Sequence, residues 1–132
     1  TSASSFVGAG YSSAGKTGAA QVIQIKQGEK YSASKIDERF RDHALYMAFA
    51  PAHAPTIALA MVVENAGFGA QNAAPIARRV FDYWLQGRYP SEADIAAVQK
   101  AQSPTPIGQP RSVADLIWPG AAPPKPSSVS PP

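Results

Sequence analysis

The chain has 132 residues, 45% of them apolar and 16% charged, with no cysteine and a net charge of +3. That length allows one domain at most, and the lack of cysteine excludes disulfides and thiolate metal sites. The positive residues are scattered singly apart from Arg78-Arg79, with no basic stripe interleaved with aromatics, so no nucleic-acid partner is indicated.

Thr1 to Gly10 is small and polar with one apolar pair, Phe6-Val7, and reads as the end of a helix stopped by Gly8 and Gly10. Residues 13–26 read as a strand, because Gly15 and Gly18 disfavour a helix while Val22, Ile23 and Ile25 favour extension. Gln27 to Asp42 is a charged, exposed excursion. His43 to Ala50 alternates, with Leu45, Met47 and Phe49 on one side of a second strand. Pro51 to Pro55 makes a turn, and residues 56–64 form a third strand. Ile57 to Val63 is apolar on both faces, the pattern of a central strand covered on both sides. The short linker makes the second and third strands an antiparallel hairpin. Thr56 to Val63 is also the longest apolar stretch, far too short to cross a bilayer.

A helix is predicted over about 72–87, with Asn72 as N-cap, Pro75 in its first turn and Gly87 as its stop. Ile76, Val80 and Trp84 recur at four-residue spacing, widened by Phe81 and Tyr83, and that stripe is predicted to lie against the sheet. Ser91 and Asp94 resemble a capping box for a short helix over 91–102. From Ser103 onward Pro, Ser, Ala and Gly dominate and disorder is expected, with Val113 to Trp118 an unremarkable apolar spot. The fold class is therefore α+β: an antiparallel meander over about 13–26, 43–50 and 56–64, covered by the helix at about 72–87. Residues 1–89 read as one unit and 90–132 as an extension ending in a proline-rich tail.

The chemistry centres on Lys16-Thr17-Gly18, which opens the first strand. A Lys-Thr-Gly triplet in that place is an active-site motif of penicillin-binding serine acyl-transferases. The same lysine completes a phosphate-loop spelling, Gly10 to Thr17, so a nucleotide-binding fragment is a competing reading. That loop needs a buried strand before it and a helix after it. Phe6-Val7 is too meagre for the first, and the residues after Thr17 favour a strand. In the acyl-transferase reading Gly18 removes a side chain where substrate approaches, Lys16 supplies positive charge beside the nucleophile, and Thr17 offers a hydroxyl to a substrate carboxylate. The N–H of Ala19 would face the developing oxyanion. A third reading is a non-catalytic accessory or interaction module. His43 and His53 have no partner at metal spacing, so no metal or cofactor is expected.

Ala14-Gly15-Lys16-Thr17-Gly18-Ala19-Ala20-Gln21-Val22, followed by Arg41-Asp42-His43, Ala48-Phe49-Ala50-Pro51 and Val62-Val63-Glu64-Asn65, resembles a known family. The likeness is to the C-terminal end of the transpeptidase domain of penicillin-binding protein 2, the elongation-associated class B peptidoglycan transpeptidases of Gram-negative bacteria. The likeness spans about residues 10–87. It implies part of the penicillin-binding and serine β-lactamase-like transpeptidase fold, with Lys16, Thr17, Gly18 and Ala19 as catalytic positions. Of these, Lys16, Thr17 and Ala19 would bind stem peptides and β-lactams. The family usually carries Thr or Ser where this chain has Ala19; the main-chain donor survives that change and a second hydroxyl does not.

The resemblance also implies a serine nucleophile in Ser-x-x-Lys and a Ser-x-Asn motif, both upstream. Ser13 to Lys16 and Ser32 to Lys35 spell the first, but neither has its helical context, and Ser-x-Asn is absent. The nucleophile is thus expected on an upstream remainder of the same domain, and this chain alone is expected to be inactive. Further implications are a role in cell-wall synthesis and cell shape, a place on the periplasmic face of the inner membrane, and a glycosyltransferase of the elongation machinery as partner.

Overall fold

The computed structural model describes residues 2–23, 28, 30, 37–100, 102 and 105–116. Strands β1 (Ala14–Ala20), β2 (His43–Ala50) and β3 (Ile57–Val63) form an antiparallel sheet in that order. Ala14 stands opposite Phe49, Lys16 opposite Met47 and Ala20 opposite His43, while Ala44 pairs with Val63 and Ala50 with Ile57. The mixed helix and antiparallel-sheet class follows the sequence reading.

β1 ends at Ala20, short of the expected residue 26. Its partner β2 begins at His43, so no ladder remains beyond Ala20. The Val22 N–H donates instead to Asp42 Oδ1 at 3.3 Å. Val22 and Ile23, which argued for a strand, lie outside it; Ile25 falls outside the described residues. A strand made of Ala, Gly, Lys and Thr persists because its neighbour, and not its own propensity, holds it extended.

The sheet has one covered and one open face. Ala44, Tyr46, Ala48 and Ala50 of β2 are buried, whereas Met47 is 61% exposed and shares the open side with Leu45 and Phe49. On β3, Ile57, Leu59, Met61 and Val63 turn to the core while Ala58, Ala60 and Val62 face out. β3 is therefore an edge strand with one open face among the described residues, and not the doubly covered central strand its composition suggested.

A 3₁₀ turn (Ser2–Phe6), the short helix α1 (Gly69–Asn72) and the longer α2 (Ala74–Gln86) cover the other face. Asn72 does not cap α2. It closes α1, its Nδ2 donating to the carbonyls of Ala66 and Phe68, and Ala73 takes the N-cap position with no side-chain bond. Pro75 sits in the first turn, and Gly87 ends the helix in the left-handed region, donating to the carbonyls of Asp82 and Tyr83.

The stripe of α2 is reversed from expectation at all but Phe81. Ile76, Val80 and Trp84 face outward, Trp84 being 61% exposed, while Ala74, Ala77, Arg78, Phe81 and Asp82 are buried. Alanines at Ala44, Ala48, Ala73, Ala74 and Ala77 bring helix and sheet too close for a row of large side chains. Phe81 is fully buried in that seam, and its ring packs near those of Phe6 and Tyr11.

The buried polar side of α2 holds the N-terminal segment. Arg78 Nη1 donates to the carbonyls of Ser5 at 3.1 Å and Val7 at 2.9 Å, and Gln86 Nε2 to that of Ala9 at 2.8 Å. Alternate carbonyls of one strap thus meet donors spaced along one helix. Arg78 Nε also bonds both Asp82 carboxylate oxygens at 2.9 Å, and the Tyr11 hydroxyl donates to Asp82 Oδ1 at 2.7 Å. Every charge taken from water here has a hydrogen-bonded partner, as burial demands.

Beyond Gly87, strand β4 (Arg88–Tyr89) leads into α3 (Glu92–Gln99). Ser91 caps α3, accepting from the Asp94 N–H at 3.1 Å. The Asp94 carboxylate does not complete a reciprocal box. It is fully buried and paired with Arg79, Nη2 to Oδ1 at 2.6 Å and Nε to Oδ2 at 3.0 Å, tying α3 to α2. The disorder expected from Ser103 does not hold over residues 105–116. They fold back, with β5 (Arg111–Ser112) pairing with β4, the Ile107 N–H donating to Asp94 Oδ1 and the Val113 N–H to the Gly87 carbonyl. Ile117, Trp118 and the remaining tail lie outside the described residues. Among the described residues no helix is long and apolar enough to cross a membrane.

Burial, then the hydrogen bond to Asp82, push the Tyr11 phenol well above its ordinary range, and burial raises Tyr46 likewise. A raised folded-state value means the stabilisation is complete below the unfolded tyrosine pKa of about 10 and is lost as pH rises above it. Unfolding midpoints in urea, measured from pH 8 to 11, should fall above about pH 10. Tyr11→Phe should flatten that fall, and an unchanged slope would refute the assignment.

Candidate active site

Lys16, Thr17 and Gly18 occupy the middle of β1, an edge strand of the sheet. In a strand successive side chains alternate between faces, so Lys16 and Gly18 share the open face with their partners Met47 and Leu45. Thr17 and Ala19 point to the helix-covered face beside Tyr46 and Ala44. Thr17 is half-buried there, whereas Ala19 is exposed.

The direction of the backbone groups follows from one crowded point. A Cβ placed on Gly69 would lie 3.1 Å from the Gly18 carbonyl oxygen and closer still to that of Leu45. Two ladder partners whose carbonyls meet near one point must both direct them into the space between β1 and β2. In an antiparallel pair this makes Gly18 and Leu45 the residues that exchange hydrogen bonds. Their neighbours Thr17 and Ala19 then send N–H and C=O outward, past the edge of the sheet. Consistently, Lys16 Nζ donates to the outward Thr17 carbonyl at 2.8 Å. Among the described residues no group beyond the edge accepts from the Ala19 N–H.

Beside this edge lies a shallow apolar cavity of about 380 Å³, lined by Lys16, Gly18, Leu45, Met47, Ala60 and Val62 among others. Among the described residues Lys16 forms no ion pair, so its charge stands at the rim of an apolar surface. A second cavity of about 180 Å³ lies away from the triplet, between α2 and the 106–110 loop.

The glycines of the strand differ in what they do. At Gly15 an added Cβ would come within 2.7 Å of Tyr46 Cζ and 2.9 Å of the Met47 carbonyl, so the Tyr46 ring lies directly on its Cα. At Gly18 an added Cβ would make only ordinary contacts with Leu45, the nearest at 3.4 Å. The packing of this chain requires glycine at 15 and does not require it at 18.

Residues 1–82 match the family described as the penicillin binding protein transpeptidase domain. The chain belongs to that family. Over 90 residues, 68% of the chain, it is 43% identical to the peptidoglycan D,D-transpeptidase MrdA of Haemophilus influenzae, of which it covers 14%. It is 50% identical to the MrdA protein of Acinetobacter baumannii over 78 residues, 59% of the chain and 12% of that protein. The peptidoglycan D,D-transpeptidase PbpA of Mycobacterium tuberculosis is 50% identical over 50 residues, 34% of the chain and 10% of its own length. The chain thus spans between 12% and 14% of the two MrdA proteins.

Transpeptidase membership and the strand through Lys16 and Thr17 together remove the phosphate-loop alternative. That loop needs its lysine at a helix N-terminus, and here it lies inside a β-ladder. Ser13 precedes β1 and is in no helix, so its spacing from Lys16 is a coincidence of spelling; Ser32 and Lys35 lie outside the described residues. Neither histidine sits in a metal cluster, and no such cluster occurs among the described residues. His43 Nδ1 accepts from the Asn65 N–H at 2.9 Å, and His53 lies 3.3 Å from Ser12 Oγ.

Sequence reasoning missed the roles of Gly15 and Gly69. An isolated glycine in a strand signals close approach of another group, but nothing local says which of two glycines is approached. Gly15→Ala should cost about 1–3 kcal/mol in denaturant unfolding through overpacking against Tyr46. Gly18→Ala should stay within about 1 kcal/mol of the parent; equal losses at both positions would contradict the distinction.

Proposed function

We propose that this chain supplies one wall of the active site of a peptidoglycan D,D-transpeptidase, which cross-links stem peptides through a serine acyl-enzyme and is acylated by β-lactams. The observation that carries the reading is an edge strand presenting Lys16, Thr17 and the outward Ala19 N–H beside an open cavity. The nucleophilic serine belongs to a part of the protein outside these 132 residues, approaching from the open face and edge of the sheet. The exposed Met47 and Val62 and the half-buried Leu45 support a packing partner on that side.

In the reaction, the serine oxygen bonds to the penultimate D-alanine carbonyl carbon and its proton leaves toward a base. The carbonyl oxygen takes the negative charge, and the Ala19 N–H donates to it. As the tetrahedral species collapses, the peptide bond breaks and the terminal D-alanine departs as an amine after gaining a proton. An amine from a neighbouring stem then attacks the ester, and the serine oxygen recovers its proton. Lys16 contributes fixed positive charge near the nucleophile and the substrate carboxylate, at the border of an apolar surface where screening by water is reduced. Thr17, half-buried on the helix-covered side, donates its hydroxyl past the edge of β1 to the same carboxylate. The methyl of Ala19 offers no second hydroxyl, so carboxylate recognition rests on Thr17 and Lys16.

The enzyme so completed acts in cell-wall synthesis and cell shape at the periplasmic face of the inner membrane, with its anchor outside this chain. A glycosyltransferase of the elongation machinery is the fitting partner, since cross-linking needs glycan strands as they are made.

Labelling of the whole protein with a fluorescent penicillin tests this reading. Lys16→Ala should slow acylation at least about 100-fold, the scale of a lost electrostatic contact to the transition state. Ala19→Pro deletes the outward N–H without removing a ladder bond, which an edge strand tolerates, and should cost about 100–1,000-fold. Full labelling of both folded variants would exclude the assignment.

A further inference from the structure

We infer that Gly69, in the helical layer behind the triplet, is a positioning residue that sets the aim of the oxyanion donor. This inference rests on the transpeptidase reading of β1 and extends it to a residue that touches no substrate.

Gly69 is buried at the first position of α1. Its φ does not lie in the region reserved for glycine, so backbone conformation does not demand it. Space does. The three atoms nearest to an added Cβ are the Leu45 carbonyl oxygen, the Gly18 carbonyl oxygen at 3.1 Å and Thr17 Cβ at 3.2 Å. Two belong to the Lys-Thr-Gly triplet and the third to the ladder partner of its glycine. The start of α1 therefore rests on the backbone of the catalytic strand with no side chain between them.

The consequence comes from the planarity of the peptide unit. The Gly18 carbonyl and the Ala19 N–H belong to one rigid trans plane and point in opposite directions across it. Gly18 C=O enters the ladder while Ala19 N–H leaves the edge. Any group that displaces the Gly18 oxygen tilts the same plane and swings the Ala19 hydrogen by a matching angle. A donor aimed at a developing oxyanion loses strength as its angle departs from linear, and its value lies in being aimed before the charge forms. Thr17, wedged at its Cβ by the same contact, would move with it.

Asn72 holds this arrangement from the far end of α1. Its Nδ2 bonds to the Ala66 and Phe68 carbonyls close the turn that delivers Gly69 to the sheet. It lies on α1 and is remote from the open face where substrate would bind.

The test uses the whole protein and measures separately the affinity for a β-lactam before reaction and the rate of acylation at saturation. The infrared stretch of the acyl-enzyme ester carbonyl is recorded alongside. Gly69→Ala should lower the saturated acylation rate about tenfold or more, change the pre-acylation affinity less than threefold, and move the carbonyl stretch to higher frequency. Asn72→Ala should produce the same pattern at a few-fold loss and decides the matter where Gly69→Ala does not fold. Phe81→Leu, a core change away from β1, should destabilise the fold while leaving rate and stretch per folded molecule unchanged. Parental rate and carbonyl frequency in the folded variants would overturn the positioning role. If Lys16→Ala abolishes acylation in the same experiment, only the positioning inference has failed; if Lys16→Ala acylates normally, the transpeptidase reading has failed first.

Discussion

The close seating of the helical layer on the sheet governs the rest of this structure. It is made by what is missing: Gly69 carries no side chain, and Ala44, Ala48, Ala73, Ala74 and Ala77 carry one methyl each. Layers packed through such residues approach to backbone distance, and their relative position is then set by hard contacts. Apolar area alone is a poor account of such a seam, since each alanine buries little surface. Its return is geometric: the strand with Lys16 and Thr17 is held against a support with little room to slide or tilt.

That same closeness explains the placement of charge. With no space for a row of large apolar side chains, the buried side of α2 carries Arg78 and Asp82, and these organise the N-terminal strap through its alternate carbonyls. A buried ion pair contributes little net stability once desolvation is subtracted. Its role here is to satisfy the carbonyls of Ser5 and Val7 and to orient the Tyr11 hydroxyl, so that the turn into β1 starts from a defined point. Arg79 and Asp94 repeat the device on the other flank, joining α3 and the returning 105–110 segment to the same helix.

The two faces of the sheet divide structure from chemistry. Among the described residues the covered face is packed beneath β2 and β3, with Tyr46 and Phe81 as its large members. The open face carries Lys16 next to Met47, Leu45 and Val62, an apolar surface with one charge at its rim. In the proposed site, whatever excludes water from such a surface strengthens the field of the ammonium.

Much of this was legible in the residues. Turn chemistry and alternation placed β2 and β3 within a residue at each end, and Pro75 and Gly87 bounded α2 nearly correctly, because those signals act through local dihedral angles. The Lys-Thr-Gly triplet at a strand and the later blocks carried the family. Other features were hidden because they depend on which surface faces which. Ile76, Val80, Tyr83 and Trp84 read as the buried side of α2 and proved to be its outer side, while Phe81 of the same stripe is buried as expected; periodicity reports that a helix has two faces, and the neighbouring backbone decides which one is buried. Val22 and Ile23 argued for a strand that stops before them, since a ladder ends where its partner ends. By itself the sequence determined the order and kind of the elements and the family, through local stereochemistry and motif. Only the tertiary structure decided which glycines are structural, which face of α2 is buried and which way Ala19 points, because each depends on contacts between residues far apart in the chain.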